Sequence, residues 1–134
     1  MSSVQRNNVK VSGSGSKAII FAHGYGCDQN MWRGVAPSFE DEYKVVLFDY
    51  VGSGESDTSA FNRTRYSTLQ GYAADVLEII DELKLEQVTF VGHSVSSMIG
   101  ALAAIKRPEL FESLVMIGPS PSYINQGELS LIHI

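Results

Sequence analysis

Residues 88–106 constrain the fold of this chain more than any other stretch. Four residues, apolar except for Thr89, run directly into the small-residue turn Gly92–Ser96, and an apolar helical pattern follows as far as Lys106. This order predicts a buried strand, a sharp turn and a helix, with Ser94 at the apex of the turn. Small neighbours allow the strand and the helix to approach each other closely. We expect such a turn to strain the backbone of Ser94 and to expose its hydroxyl.

The turn resembles the G-x-S-x-G pattern of a nucleophile elbow, with Ser96 in place of the second glycine. An alternative interpretation is that Ser94 caps the helix, because serine is common at helix N-termini. Two features favour the nucleophile. The strand before Ser94 is apolar except for Thr89, and the helix after it is apolar on nearly every face, which indicates burial against a sheet. The free N–H groups of that helix would then point toward the turn.

Four apolar runs without alternation predict parallel strands that are covered on both faces. They are 18–22, 45–48, 88–91 and 114–117, with a short strand or hairpin arm expected at 9–11. An apolar stripe at helical spacing covers 69–83, and Ser67 with Gln70 is expected to form its capping box. A shorter helix around Met31 is expected to end near Pro37. Alternating strands and helices predict an α/β fold with a mostly parallel sheet.

A loop rich in glycine, His23-Gly24-Tyr25-Gly26-Cys27-Asp28, follows the first of these strands. Acyl transfer needs two N–H donors for the oxyanion, and we expect the main-chain N–H groups of Tyr25 and Val95 to supply them. The alternative is a tight turn in which Asp28 caps the next helix. Beside the predicted elbow, the catalytic interpretation is favoured.

Three further features are given structural roles. The loop 49–57 resembles a dinucleotide fingerprint, but its third glycine is absent and no helix begins there. Nothing near Cys27 except a helix N-terminus would lower its pKa, so it is not expected to be a nucleophile. His93 lies inside the turn and is interpreted as a packing residue.

Composition narrows the classes of function. The chain has 134 residues, 44% of them hydrophobic and 19% charged, as in a globular domain. Its net charge of -5 gives a nucleic-acid partner no electrostatic support. The first residues lack the apolar core of a signal peptide, and the run 98–105 is too short to cross a bilayer. One cysteine excludes an internal disulfide and favours a cytoplasmic location.

Together these motifs resemble the α/β-hydrolase superfamily, over residues 4 to 126. Within it they are similar to the bacterial stress regulator RsbQ and to the karrikin and strigolactone receptors of plants. The motifs are His23–Gly26, Phe48–Gly54, Arg65–Tyr72, Gly92–Ser96, Arg107–Phe111 and Ile117–Pro121. The resemblance implies an eight-stranded sheet, a Ser-His-Asp triad, a helical lid and a small hydrophobic pocket. It further implies hydrolysis of a small ester or lactone, coupled to signalling through a phosphatase of the general stress pathway.

The resemblance also assigns site residues. It implies Ser94 as the nucleophile and the N–H groups of Tyr25 and Val95 as the oxyanion hole. His23, Gly24, Tyr25 and Ser94 are implied to contact the substrate, with no cofactor and no metal. The runner-up function is a ligand-binding regulator that activates a phosphatase with little or no turnover.

The triad acid and histidine are not found in the expected order after Ser94. The later carboxylates, Glu109, Glu112 and Glu128, follow no further strand, and the only later histidine is His133. The last residues resemble the translation of a sequencing adapter. We therefore expect a partial hydrolase core at 1–126, without lid or C-terminal half, and a non-native tail at 127–134. Such a fragment is expected to be weakly stable, to aggregate and to be inactive.

Overall fold

A five-stranded, mostly parallel sheet forms the centre of the protein. The structure, a computed structural model, describes residues 1–120. The strands are β1 (Lys10–Ser12), β2 (Lys17–Ala22), β3 (Tyr43–Leu47), β4 (Val88–His93) and β5 (Phe111–Ile117), in the spatial order β1-β3-β2-β4-β5. β1 pairs antiparallel with β3, and the other pairs are parallel. The α/β fold and all the strands predicted from the apolar runs are confirmed.

Two long helices cover one face of this sheet. The α-helices are α1 (Ser3–Arg6), α2 (Leu69–Glu82) and α3 (Val95–Lys106). Shorter 3-10 helices lie at Gln29–Trp32, Ala36–Phe39, Thr58–Ala60 and Pro108–Leu110. Within residues 1–120, no helix combines the length and the hydrophobicity that crossing a membrane requires.

The predicted capping box of α2 is wrong. The helix begins one residue later, so Thr68 is the N-cap and its Oγ1 accepts from the N–H of Gln70 at 3.3 Å. The hydroxyl of Ser67 instead donates to the carbonyl oxygen of Thr64 at 2.9 Å. Both residues carry a hydroxyl, so the sequence alone did not distinguish the cap from the residue before it.

The predicted short helix around Met31 is also corrected. The chain forms two 3-10 turns, and Pro37 lies in the first turn of the second one rather than at the end of the first. Proline is tolerated there because the first N–H groups of a helix have no partner within it. Asp28 caps the first turn by accepting from the N–H of Asn30 at 2.8 Å, as the structural interpretation of that loop predicted.

Side chains of β2 enter the core on both faces of the sheet. Ala18, Ile20 and Ala22 pack in the cluster formed with α2 and α3. Ile19 and Phe21 pack on the opposite face with Trp32 and Ala36. Burial on both faces explains why the strand is apolar without alternation.

The register of the parallel strands brings three loops to one edge. Ala22 lies opposite Gly92, and Phe21 lies opposite both Leu47 and Val91. The carboxyl ends of β2, β3 and β4 therefore lie side by side. In open α/β sheets this is the edge at which ligands bind.

Strand β5 presents apolar surface at the end of the sheet. Among the described residues it pairs with β4 alone. Val115, Met116 and Ile117 are exposed. An exposed apolar edge strand favours association with other chains.

A buried ion network joins the N-terminal segment to α2. The carboxylate of Asp75 is fully buried and lies 2.6 Å from Nη2 of Arg65 and 3.1 Å from Nη2 of Arg6. It also accepts from the hydroxyl of Tyr66 at 2.7 Å. Asp75 lies within the helical stretch 69–83, and it is buried because these cations cover it. A buried carboxylate is tolerated only with such partners.

Asp75→Asn should therefore destabilise the protein by about 3 kcal/mol, because it removes the charge that pairs two partly buried arginines. Urea unfolding of both proteins measures this loss. Asp81→Asn is the matched control: Asp81 is an exposed partner of Arg107 at 3.4 Å, and its loss should cost less than about 1 kcal/mol. Equal effects of the two variants would show that the Asp75 network does not stabilise the fold.

Candidate active site

The turn between β4 and α3 holds Ser94 in a strained backbone conformation. Its φ is 58° and its ψ is -120°, a region that residues with a side chain rarely occupy. The N–H of Ser94 donates to the carbonyl oxygen of Ile117 at 2.8 Å, and its own carbonyl accepts from Ser97 at 3.0 Å. The side chain of Ser94 makes no capping hydrogen bond to α3. This geometry matches the requirement of a nucleophile elbow more closely than that of a helix cap.

Gly92 is required by the close approach of α3 to β4. A Cβ added at Gly92 would lie 2.6 Å from the carbonyl oxygen of Ser96 and 2.9 Å from the nitrogen of Ser97. Both are backbone atoms, which cannot move without moving the helix. The hydroxyl of Ser97 donates to the carbonyl oxygen of Gly92 at 3.0 Å and so fastens the helix to the strand.

Ser96 occupies the position of the second glycine in the pattern. It is completely buried. Its Oγ donates to the carbonyl oxygen of His23 at 2.5 Å and lies 2.7 Å from the hydroxyl of Tyr50. Burial raises the pKa of the Tyr50 phenol far above its usual value; the hydrogen bond with Ser96 lowers the pKa by a smaller amount, and the charge of Asp75 raises it slightly. Tyr50 is therefore neutral and can donate.

The loop after β2 lies directly over the turn. A Cβ added at Gly24 would lie 2.4 Å from Nδ1 of His93 and 3.3 Å from Cβ of Ser94. A larger residue at this position would have to displace the ring of His93. His93 thus packs against the loop, as expected, and its Nδ1 has no hydrogen-bond partner within the described part of the chain. The N–H of Cys27 closes the loop by donating to the carbonyl oxygen of Gly24 at 3.1 Å.

The ring of His23 anchors this loop. His23 is buried, and its Nε2 accepts from the N–H of Tyr50 at 3.1 Å. The proton is therefore on Nδ1, which lies 2.9 Å from the carbonyl oxygen of Gly24. The two rings also meet edge to face, with centroids 4.9 Å apart. Since both nitrogens have backbone partners, the ring holds the loop in place instead of acting as a base.

A cavity of about 450 Å³ lies beside the turn. His23, Gly24 and Tyr25, three of the residues predicted to contact the substrate, line it together with Val95. The two residues predicted to supply oxyanion donors, Tyr25 and Val95, therefore face one cavity. The side chain of Tyr25 itself is 93% exposed. Ser94 is not among the lining residues; it lies between Val95 and the histidine that packs on Gly24.

The resemblance implied a hydrophobic pocket, but the sequence did not identify the residues that form its apolar walls. They are formed by aromatic and aliphatic residues: Tyr50, Val51, Phe61, Leu69, Tyr72 and Ile99. Gly52 and Ser53 also line it, so the loop 49–57 is part of the site. The sequence did contain one indication that this loop belongs to the site: it follows the carboxyl end of the parallel strand β3, where ligands bind in such sheets. Tyr72 lies in the apolar stripe 69–83, which predicted a core position and gave no indication that its ring lines a cavity.

No metal site accompanies these residues in the described range: residues 1–120 contain no group of three or more histidine, cysteine or acidic side chains placed to hold an ion. Cys27 is a free thiol beside the carbonyl oxygen of Tyr25, at 3.8 Å from Sγ.

Comparison with known proteins decides the family. Residues 17–130 match the family model described as alpha/beta hydrolase fold. The chain belongs to the α/β-hydrolase family. This α/β-hydrolase is 47% identical to a hydrolase from Oleispira antarctica, whose structure superimposes with a TM-score of 0.87 over 93% of this chain and 46% of that one.

Curated relatives include receptors and esterases of plants. The α/β-hydrolase chain is 49% identical over 121 residues to the strigolactone esterase RMS3 of Pisum sativum. It is 47% identical over 121 residues to the karrikin insensitive 2 receptor CA of Petunia hybrida. Each match covers 90% of this chain and 45% of the relative. The chain thus spans about half the length of the relatives it matches.

The contact at Gly92 gives a prediction for this α/β-hydrolase. Gly92→Ala should cost about 2 kcal/mol of stability, because the added methyl group overlaps the backbone of α3. Gly34→Ala is the control, since nothing lies within 4 Å of its Cβ position and neither glycine has a positive φ. Urea unfolding compares the two variants. If Gly92→Ala were as stable as Gly34→Ala, the close packing of α3 on β4 would be disproved.

Proposed function

We propose that the full-length protein to which this sequence belongs is a serine hydrolase. It cleaves a small hydrophobic ester or lactone through an acyl-enzyme intermediate. One observation carries this proposal. Ser94 has the strained backbone of a nucleophile elbow, while the residues expected to bind the oxyanion, Tyr25 and Val95, line a single cavity beside it.

The proposed chemistry begins at the hydroxyl of Ser94. Its oxygen attacks the substrate carbonyl carbon while the histidine of the triad takes its proton, and the carbonyl oxygen becomes the oxyanion of a tetrahedral intermediate. The intermediate then expels the alcohol, which receives that proton, and water hydrolyses the acyl-enzyme to release the acid. The main-chain N–H groups of Tyr25 and Val95 donate to that oxyanion, and each contributes roughly 3 kcal/mol of transition-state stabilisation. Val95 is the first residue of α3, so the positive end of the helix dipole adds to the effect.

The cavity supports a small apolar substrate. A volume of about 450 Å³ lies within the range of small-molecule sites, and its walls are largely aromatic and aliphatic. The ester or lactone class is taken from the named activity of a relative, the strigolactone esterase of Pisum sativum. His23, Gly24, Tyr25 and Ser94 are the residues that we assign to substrate contact.

The acid and the histidine of the triad are assigned to sequence that this chain does not cover. In the family both follow the nucleophile, and residues 95–120 contain no histidine. The predicted boundary at 126, and Glu128 and His133 with it, lie outside the described residues. We propose that residues 1–126 form a partial hydrolase core and that residues 127–134 are a non-native tail. Without a base, Ser94 in the 134-residue chain would be barely nucleophilic.

A fluorophosphonate probe tests the nucleophile. The full-length protein should be labelled at Ser94, and Ser94→Ala should lose labelling and reduce ester hydrolysis roughly a thousandfold or more. Ser38→Ala is the control, because Ser38 is exposed and does not line the cavity. The 134-residue chain alone should show neither labelling nor turnover. Labelling at another residue, or full activity of Ser94→Ala, would reject the proposal.

A second candidate function is a ligand-binding regulator, and the named receptors among the relatives favour it. In this version the same cavity binds a small hydrophobic ligand, and the protein activates a phosphatase in cytoplasmic stress signalling, as proteins similar to RsbQ do. Turnover would then be slow or absent, although Ser94 would keep its position.

The two candidates predict different results with a ligand at saturation. A regulator should retain phosphatase binding in Ser94→Ala, since the cavity walls are unchanged, and its phosphatase should be activated without product release. A hydrolase should release product continuously with Ser94 intact. The two candidates are distinguished by measuring binding to a purified stress-pathway phosphatase and, in parallel, the rate of product formation. Failure to bind the phosphatase together with steady turnover would exclude the regulator.

A further inference from the structure

Two buried hydroxyl groups connect the ends of β2 and β3 to the start of α3. Oγ of Ser96 lies 2.5 Å from the carbonyl oxygen of His23 and 2.7 Å from Oη of Tyr50. Ser96 is completely buried, and Tyr50 is nearly so. The bonds join residues that are 73 and 46 positions apart in the sequence.

The direction of this hydrogen-bond chain is fixed by proton count. The hydroxyl of Ser96 has one proton, and the carbonyl oxygen of His23 can only accept, so Ser96 donates to His23. The hydroxyl of Tyr50 must therefore donate to Oγ of Ser96. Because burial keeps the phenol of Tyr50 protonated, this donor is present throughout the neutral range.

His23 is held from two sides by the same pair of residues. The N–H of Tyr50 donates to Nε2 of its ring at 3.1 Å, while Ser96 binds its carbonyl oxygen. One residue separates His23 from Tyr25, and Ser96 directly follows Val95. The pair thus spans the gap between the two segments that carry the expected oxyanion donors.

We propose that Ser96 and Tyr50 are positioning residues that set the separation between the main-chain N–H groups of Tyr25 and Val95. The inference rests on the proposed hydrolase function. A hydroxyl buried at this position would be costly without partners, and here its donor and its acceptor capacity are both used. The acceptor of its hydrogen bond is the carbonyl oxygen of His23, which belongs to the same loop as Tyr25.

The effect should be seen in kcat rather than in KM. Ser96→Ala removes the bond to the carbonyl oxygen of His23, so the donor of Tyr25 shifts, and kcat for ester hydrolysis should fall roughly tenfold with KM nearly unchanged. Tyr50→Phe keeps the aromatic wall and the bond from Ser96 to His23, and its effect should be smaller. The double variant should resemble Ser96→Ala, because both residues act through one carbonyl group.

A thionoester substrate reports on the oxyanion bonds themselves. Sulfur accepts hydrogen bonds poorly, so an intact oxyanion hole favours the ester over the matching thionoester. The ratio of the two kcat/KM values should fall roughly tenfold in Ser96→Ala, as donor alignment is lost. A merely structural role would change stability and leave this ratio constant.

Tyr66→Phe is the matched control for Tyr50→Phe. The hydroxyl of Tyr66 also donates over 2.7 Å in a buried site, but its acceptor is Asp75, and Tyr66 does not line the cavity. The Tyr66→Phe variant should be less stable, but its ratio of kcat/KM for the ester to kcat/KM for the thionoester should be unchanged. If the protein is active through Ser94 but Ser96→Ala leaves kcat and the ratio unchanged, the positioning role is refuted while the hydrolase function stands.

A second measurement needs no turnover and so remains decisive if the hydrolase proposal fails. Hydrogen exchange of the full-length protein, read on a peptide that covers 23–27, should accelerate about tenfold in Ser96→Ala, because one buried hydrogen bond to this segment is lost. Exchange of a peptide covering 62–68 should stay constant in that variant and should accelerate in Tyr66→Phe. Unchanged exchange over 23–27 would overturn the inference whatever the activity.

Discussion

The contact between the backbones of β4 and α3 at Gly92 is the constraint on which the candidate site depends. Since the first turn of α3 lies against the strand, the chain has to reverse within very few residues, and Ser94 takes up the strain with its positive φ. The same contact places the first turn of α3 next to the carboxyl end of the sheet. Val95, the first residue of α3, therefore lines the cavity, and its N–H group has no partner within the helix.

Buried polar groups tie the loops around this turn to one another. Asp49, which is buried, accepts from the N–H of Gln29 at 2.9 Å and from the N–H of Glu55 at 3.0 Å. It thereby fixes the loop after β2 to the loop after β3. His23 adds a second link to Tyr50. A cavity lined by glycine-rich loops keeps its shape because each loop end is tied to a neighbouring strand.

The sequence predicted the elements whose cause is local. Strand β2 was evident because its apolar run is uninterrupted, and the turn at Ser94 because strand, small residues and helix follow each other directly. Contacts between distant residues were not accessible in this way. The walls of the cavity include Tyr50 and Tyr72, whose rings lie 5.7 Å apart and meet edge to face. No periodicity indicates that pairing, and none shows that Arg6 and Arg65 bury Asp75.

The two glycine positions of the pattern G-x-S-x-G are occupied in this chain by Gly92 and Ser96, and different contacts constrain them. At Gly92 a Cβ would collide with backbone atoms of the helix, which no rearrangement of side chains relieves. The position of Ser96 faces the ends of β2 and β3, where one hydroxyl fits and meets both an acceptor and a donor. A residue larger than glycine is therefore accepted at the second position, provided that its polar atom is paired. Steric necessity governs the first position, and hydrogen bonding to the loop of His23 governs the second.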